Sequence, residues 1–244
     1  MAWHKGMLCA FDLETTGIDV EHDRIVTACI SLINGTTGEA ITKTLLADPG
    51  IDIPQAATEV HGITTEHARE HGDAPATVAG LLADTLMGRV YEGIPIVGCN
   101  ISYDLTLLDR ETRRHGLPPL ADRFLSALPC AIDVYVLDKH VDKWRKGSRK
   151  LTALCDHYAV RIDGAHDASH DAIAAARVAY RIAQRYPHIA AMPLHELHAL
   201  QVKAKAEQAR SFRQYLIKQG KAHDDVREEW PIVPFAAEPA EAAR

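Results

Sequence analysis

Two carboxylates, Asp12 and Glu14, stand two residues apart in "AFDLETTGID" (10–19), inside what otherwise reads as a buried strand. Side chains alternate across a strand, so both acids share a face, roughly 7 Å apart along the chain and within reach of one metal centre. Unpaired carboxylates are costly to bury, so a positive group is expected between them. Two further acids occupy places where chemistry collects. Asp104 follows the apolar run "IPIVGCN" at a helix start, the end of an α/β sheet where ligands gather. Asp171 lies about a turn into a helix whose neighbours Ala172, Ala174, Ala175 and Ala176 permit close packing. His166 precedes that helix in the loop "RIDGAH". An imidazole beside a carboxylate cluster is the arrangement of a general base that activates water. His170 adjoins Asp171, but helix neighbours point about 100° apart, so His170 is expected to support the site or face solvent.

The elements that must position these residues follow from periodicity. Residues 7–13, 24–33 and 40–47 read as three strands of a meander, with "NGTTGE" as a hairpin whose Asn-Gly pair suits a type I′ turn. Residues 54–62 and 64–72 read as short helices stopped by glycine, and 75–87 as a longer one. A buried strand at 94–100 precedes a helix over 102–116, with Ser102 as candidate cap. "AIDVYVLDKHV" (131–141) is a strand running into a helix, and 150–160, 167–186 and 193–220 are further helices. Strands followed by alternating helices and strands predict an α/β fold, a mixed sheet flanked by helices. The closing "EEWPIVPFAAEPAEAAR" (228–244) is rich in Pro, Ala and acids and reads as a partly disordered tail.

Taken together, "FDLETTG", "NISYDLTLL" and "HDASHDA" resemble the three exonuclease motifs of the DEDD superfamily of 3′→5′ exonucleases. The spacing His166-x4-Asp171 is similar to the DEDDh branch, which includes the proofreading epsilon subunit of bacterial DNA polymerase III; a Tyr-type branch would need a tyrosine where Asp167 stands. "VHGIT" (60–64) and "SRKLTALCDHYAV" (148–160) are also similar to family stretches, and the resemblance covers roughly residues 5–187. It implies an RNase H-like five-stranded mixed sheet. It also implies that Asp12, Glu14, Asp104 and Asp171 hold two divalent ions, Mg²⁺ or Mn²⁺. In that reading Asp12 bridges both ions, Glu14 and Asp171 complete one shell, Asp104 supports the other, and His166 takes the proton of the attacking water. Thr15, Thr16 and Gly17 resemble the turn that meets the terminal nucleotide, and His61, Asn100 and Tyr103 match stretches lining the same cleft. The implied units are an exonuclease domain over 1–190 and an extension, a basic helix with an acidic tail, over 191–244.

Composition sets the remaining bounds. Of 244 residues 47% are hydrophobic and 25% charged, those of an ordinary globular protein. No apolar run approaches the ~18 residues of a membrane span, and "MAWHKGML" carries no signal-peptide pattern. Five scattered cysteines read as free thiols of a reducing cytoplasm. The net charge of −6 conceals basic runs. Lys139–Lys150 and Lys203–Lys221 each carry six bases against one acid, while Asp224–Arg244 carries six acids against two arginines. "DKWRKGSRK" (142–150) mixes bases with Trp144, so Trp144 and Arg149 suit base stacking and phosphate contact; a solvated loop is the competing reading. The expected substrate is the 3′ end of single-stranded or frayed DNA. RNA 3′ ends are the alternative, and a catalytically idle nucleic-acid-binding subunit is a third. A polymerase or another replication or repair protein is the candidate partner. Oligomeric state is not legible.

Overall fold

The computed structural model describes residues 2–125, 130–161 and 168–235. Strands β1 (Met7–Thr15), β2 (Ile25–Asn34) and β3 (Ala40–Leu46) form the antiparallel meander; β4 (Ile96–Gly98) and β5 (Ala131–Asp133) add parallel to β1, giving the order β3-β2-β1-β4-β5. Between β3 and β4 lie α1 (Gln55–His61), α2 (Thr65–His71) and α3 (Pro75–Tyr91). Between β4 and β5 lie α4 (Ile101–Arg114) and α5 (Leu120–Leu125). After β5 come α6 (Val134–Val141), α7 (Leu151–His157), α8 (Ala168–Arg185), α9 (Pro187–Ala190) and α10 (Leu194–Lys218). This is the mixed, helix-flanked five-stranded sheet expected from the sequence.

Alternation along β1 divides the two core faces. Cys9, Phe11 and Leu13 join the cluster under α3 and α4, with Leu82, Leu86, Leu105 and Leu108. Leu8 and Ala10 pack on the opposite face with α6, α7 and α8, against Leu137, Leu154, Ala175 and Ala179. Alanines on α8 let that helix lie close over β1 and β2, and Asp12 and Glu14 continue its face of β1.

Three local expectations are corrected. The hairpin at 34–39 is not closed by an Asn-Gly type I′ turn: Asn34 Oδ1 accepts from the Thr36 and Thr37 N–H groups, and Gly38, at φ 78°, is the left-handed residue. The residue flanking α4 is Asn100, not Ser102, which is buried within the first turn. The segment 228–235 is not disordered tail. Trp230 is 6% exposed and joins the α3–α4 cluster, Val233 N–H donates to Thr106 Oγ1 at 3.0 Å, and Arg110 donates to the Val233 and Pro234 carbonyls.

The extension is built into the same sheet. β5 is an edge strand with a free backbone row, and Gln201 of α10 covers it. The Gln201 amide accepts from Asp133 N–H at 2.7 Å and donates to Ala131 C=O at 2.9 Å, standing in for a peptide unit of a sixth strand. Leu197, fully buried, joins the α8-face core.

Candidate active site

β1 reaches past its neighbour, and the site forms in that overhang. Cys9 N–H bonds Pro95 C=O at 2.9 Å, so odd-numbered N–H groups of β1 face β4. The β1–β4 register runs only through Ala10↔Val97. Beyond it Leu13 N–H has no strand partner and donates instead to Asp104 Oδ1 at 3.1 Å. Asp104 therefore enters from α4, on the other side of the sheet from α8. A register shift between Glu14 and Thr15 marks a β-bulge where the strand ends, a device that re-aims side chains beside functional sites.

The structure brings Asp12, Glu14 and Asp171 together, with one ligand atom of each within 4.8 Å of the others. Asp104 is buried beside them. Burial pushes the Asp12 carboxyl well above the ordinary carboxylate range, and the charges of Asp104, Glu14 and Asp171 push the same way. Burial also raises Asp104, against the opposing Leu13 N–H bond. Mutually repelling carboxylates in a half-buried cleft are a hard-oxygen donor set, the chemistry of Mg²⁺ or Mn²⁺ ligation. The residues present fit such ions.

The surrounding residues divide by what already holds them. Thr15 Oγ1 donates to Gly17 C=O at 2.6 Å and lies 2.8 Å from Tyr103 Oη, which also donates to Gly17 C=O. Thr16 is 2% exposed, its hydroxyl donating to Asp23 and accepting from Arg24 N–H, so its side chain serves the turn itself. A Cβ at Gly17 would lie 2.5 Å from the Asp23 carboxylate, so any larger residue would displace Asp23 from its bonds to Thr16 and the Asp19 N–H. His61 Nδ1 accepts from Ile63 N–H, while its Nε2 is enclosed without a partner among the described residues. Burial holds the His61 pKa below its ordinary value, the neighbouring Thr15 backbone opposing. The neutral ring then carries its proton at Nε2. Asn100 is exposed in the left-handed region at φ 61°, a conformation that clusters at functional sites.

The two expected grips, Arg149 and Trp144, differ in their surroundings. Arg149 is committed to the buried Asp138 carboxylate, which also takes Arg145 at 3.0 Å and Tyr158 Oη at 2.9 Å, and it donates to the Asp142 carbonyl. Trp144 is 85% exposed, with the Lys143 ammonium 5.3 Å from its ring centre. His166 lies outside the described residues. His170 is half-buried on α8, its Nδ1 enclosed and unpartnered among the described residues.

Asp133 is the residue that sequence reasoning passes over. Its buried Oδ1 accepts from the Asn100, Tyr135 and Val136 N–H groups, and Oδ2 accepts from Trp230 Nε1 at 3.4 Å. One carboxylate thus caps α6, fixes the left-handed Asn100 and anchors the C-terminal segment. Its signal is an acid closing an apolar strand immediately before a helix.

Comparisons with known proteins agree with this geometry. DNA polymerase III PolC-type of Streptococcus agalactiae serotype III (strain NEM316) is 27% identical over 164 residues, 67% of this chain and 11% of that protein. The PolC-type enzyme of Streptococcus pyogenes serotype M18 (strain MGAS8232) is 28% identical over 171 residues, 69% of this chain and 10% of that protein. The chain thus spans about a tenth of the length of these curated relatives. E. coli Exonuclease I, solved in complex with a dT13 oligonucleotide, superposes with a TM-score of 0.64 at 18% identity, over 75% of this chain and 42% of that one. Exonuclease I of Methylocaldum szegediense gives a TM-score of 0.60 at 21% identity, over 86% of this chain and 46% of that one. These likenesses show the fold. Residues 9–179, well over half the chain, match the family model RNase_T, described as exonuclease, and the chain belongs to this family of DEDD-type 3′→5′ exonucleases.

Proposed function

We propose that the chain is a metal-dependent 3′→5′ exonuclease that removes nucleotides from the 3′ end of single-stranded or frayed DNA and releases nucleoside 5′-monophosphates. The observation that carries this reading is the convergence of Asp12, Glu14 and Asp171 within 4.8 Å, with Asp104 beside them. These four acids would hold two divalent ions, Mg²⁺ or Mn²⁺, which when bound supply charge stabilisation for the attacking hydroxide and the leaving oxygen. The chain's own groups do the rest. His166, by its motif spacing, takes the proton of the attacking water. The water oxygen bonds to phosphorus, the bond to the 3′ oxygen of the preceding nucleotide breaks, and that oxygen leaves to be protonated. The turn locked by Thr15, Gly17 and Tyr103 presents a rigid wall for the terminal nucleotide. His61 adds a neutral N–H donor, and Asn100 a polar rim. DNA is favoured as substrate because the neighbour E. coli Exonuclease I was solved with a DNA oligonucleotide. The PolC-type relatives make a polymerase, or another replication or repair protein, the candidate partner.

The test is digestion of matched 3′-labelled and 5′-labelled DNA and RNA strands with Mg²⁺, with Mn²⁺ and with EDTA. The expected result is a 3′-shortening DNA ladder and mononucleotide release, abolished by EDTA. Internal cleavage, or activity in EDTA, rejects the reading; faster RNA digestion moves the substrate class to RNA.

A further inference from the structure

A groove of about 960 Å³ lies beside the catalytic acids, and the C-terminal extension forms its far wall. Its lining includes Asn100 and Tyr103, which share the start of α4 with Asp104. From there it runs between the helix pair α4 and α6 on one side and α10 with the segment 222–233 on the other. This volume is near the upper end for small-molecule sites.

Its charge differs from that of the chain as a whole. Lys139, Arg149, Lys150, Lys205 and Arg227 line it, against Asp225 and Glu229 on the outer segment. Among the described residues Lys150, Lys205 and Arg227 make no ion pair, whereas Arg149, Arg210 and Arg213 are spent on the fold. Arg210 and Arg213 both pair with Glu228, at 3.1 and 2.5 Å, and Arg213 also donates to Val226 C=O. Arg149 is held by Asp138. The arginines of the two basic runs are thus structural, while the lysines Lys139, Lys150 and Lys205 are left to line the groove. Burial raises the Asp133 carboxyl above its ordinary value, and the Asn100 N–H bond and the Lys205 charge oppose that rise. Phe212, half-exposed, and Tyr135 add flat apolar surface of the kind on which bases stack.

We propose that this groove is a single-strand track that holds the phosphates and bases 5′ to the nucleotide being removed; the inference rests on the exonuclease reading above. The catalytic cleft is acidic, so it attracts a polyanion poorly until its ions are bound. A neighbouring row of unpaired cations, continuous with it through Asn100, supplies that attraction from the chain itself. The buried half of α10, Leu197 and Gln201, belongs to the core, while Lys205, Phe212 and Leu216 face the track. One helix therefore serves both packing and grip.

The experiment compares the full chain with Lys150→Gln/Lys205→Gln/Arg227→Gln. A charge-matched control, Lys5→Gln/Lys43→Gln/Arg181→Gln, changes exposed bases outside the groove. Fluorescence anisotropy with a single strand of about 16 nucleotides, the upper end of a single-strand site, is read against salt. Losing three phosphate contacts should lower the log–log salt slope by about 2, at about 0.7 per contact. Between about 50 and 200 mM salt, that shrinks the loss of affinity by about twenty-fold. In hydrolysis, the preference for the long strand over a dinucleotide should fall, chiefly through KM. The set Lys150→Arg/Lys205→Arg/Arg227→Lys should restore the slope. A groove variant that matches the control in slope and in length preference overturns the track. A wild-type chain that binds with the steep slope but hydrolyses no 3′ end overturns the exonuclease reading instead.

Discussion

Replacing Asp12 by asparagine should stabilise the metal-free protein while abolishing its activity. Two unit charges 4.8 Å apart, the outer limit for the Asp12, Glu14 and Asp171 ligand atoms, repel by about 3.5 kcal/mol at an effective dielectric of 20. Asp12 faces two such neighbours and Asp104 as well, but its raised pKa shows that a proton relieves part of the repulsion. A net gain of about 2–4 kcal/mol at mildly alkaline pH is the reasonable scale, which for a chain of this size raises Tm by about 5–15 °C. The pH dependence has a definite sign. Asp12 binds its proton more tightly in the native state than in the unfolded one, so the Asp12 contribution to stability is fully present below the ordinary value of 3.8 and is lost as pH rises through the native value. The gap between variant and wild type should therefore widen as pH rises. Thermal melts in EDTA across mildly acidic to alkaline pH, repeated with Mg²⁺, measure all of this. Mg²⁺ should raise the wild-type Tm and move the variant much less. A variant no more stable than wild type in EDTA, or a gap independent of pH, refutes the repulsion argument and with it the reading of these acids as a vacant-charge cluster.

His166→Ala should lower turnover by about 10²- to 10⁴-fold, the range for a lost general base. Single-turnover kinetics over a pH series would show it; a silent His166→Ala with a damaging His170→Ala assigns the base to His170. Gln201→Leu should destabilise by about 2–4 kcal/mol, since it leaves Asp133 N–H and Ala131 C=O unpaired at the sheet edge. Denaturant unfolding checks that, and a cost under about 0.5 kcal/mol would mean that water repairs the edge. Trp230→Ala should cost about 3–5 kcal/mol, as for a buried aromatic, whereas a disordered segment would lose nothing measurable.

Much of the fold was legible because local pattern and burial agree. The meander shows in the apolar runs of β1 and β2, and the acids Asp12 and Glu14 stand out because they interrupt one of them. The long helices α8 and α10 show in their periodicity, with ends within a residue or two of those expected. What was not legible depends on contacts between distant segments. Nothing local distinguishes Gln201 from any helix glutamine; it becomes a strand substitute only because β5 ends the sheet there. Arg210 and Arg213 look like a nucleic-acid face until Glu228 is brought to them from 15 residues away or more. Arg149 likewise reads as a phosphate grip until a buried Asp138 appears beneath it.

The C-terminal segment shows why composition misleads at such places. "EEWPIVPF" has the proline and acid content of a linker, yet it carries Trp230, an aromatic that a core can hold. Burying that indole requires a partner for its N–H, and Asp133 supplies one from the strand end. The same Asp133 carboxylate already restrains Asn100, and Asn100 opens the helix that delivers Asp104 to the cleft. Asp104 in turn closes the unpaired Leu13 N–H between the two opening acids. The last segment among the described residues is thereby tied, through three hydrogen bonds, to the acids of the cleft. A stretch with so many obligations cannot behave as a tail.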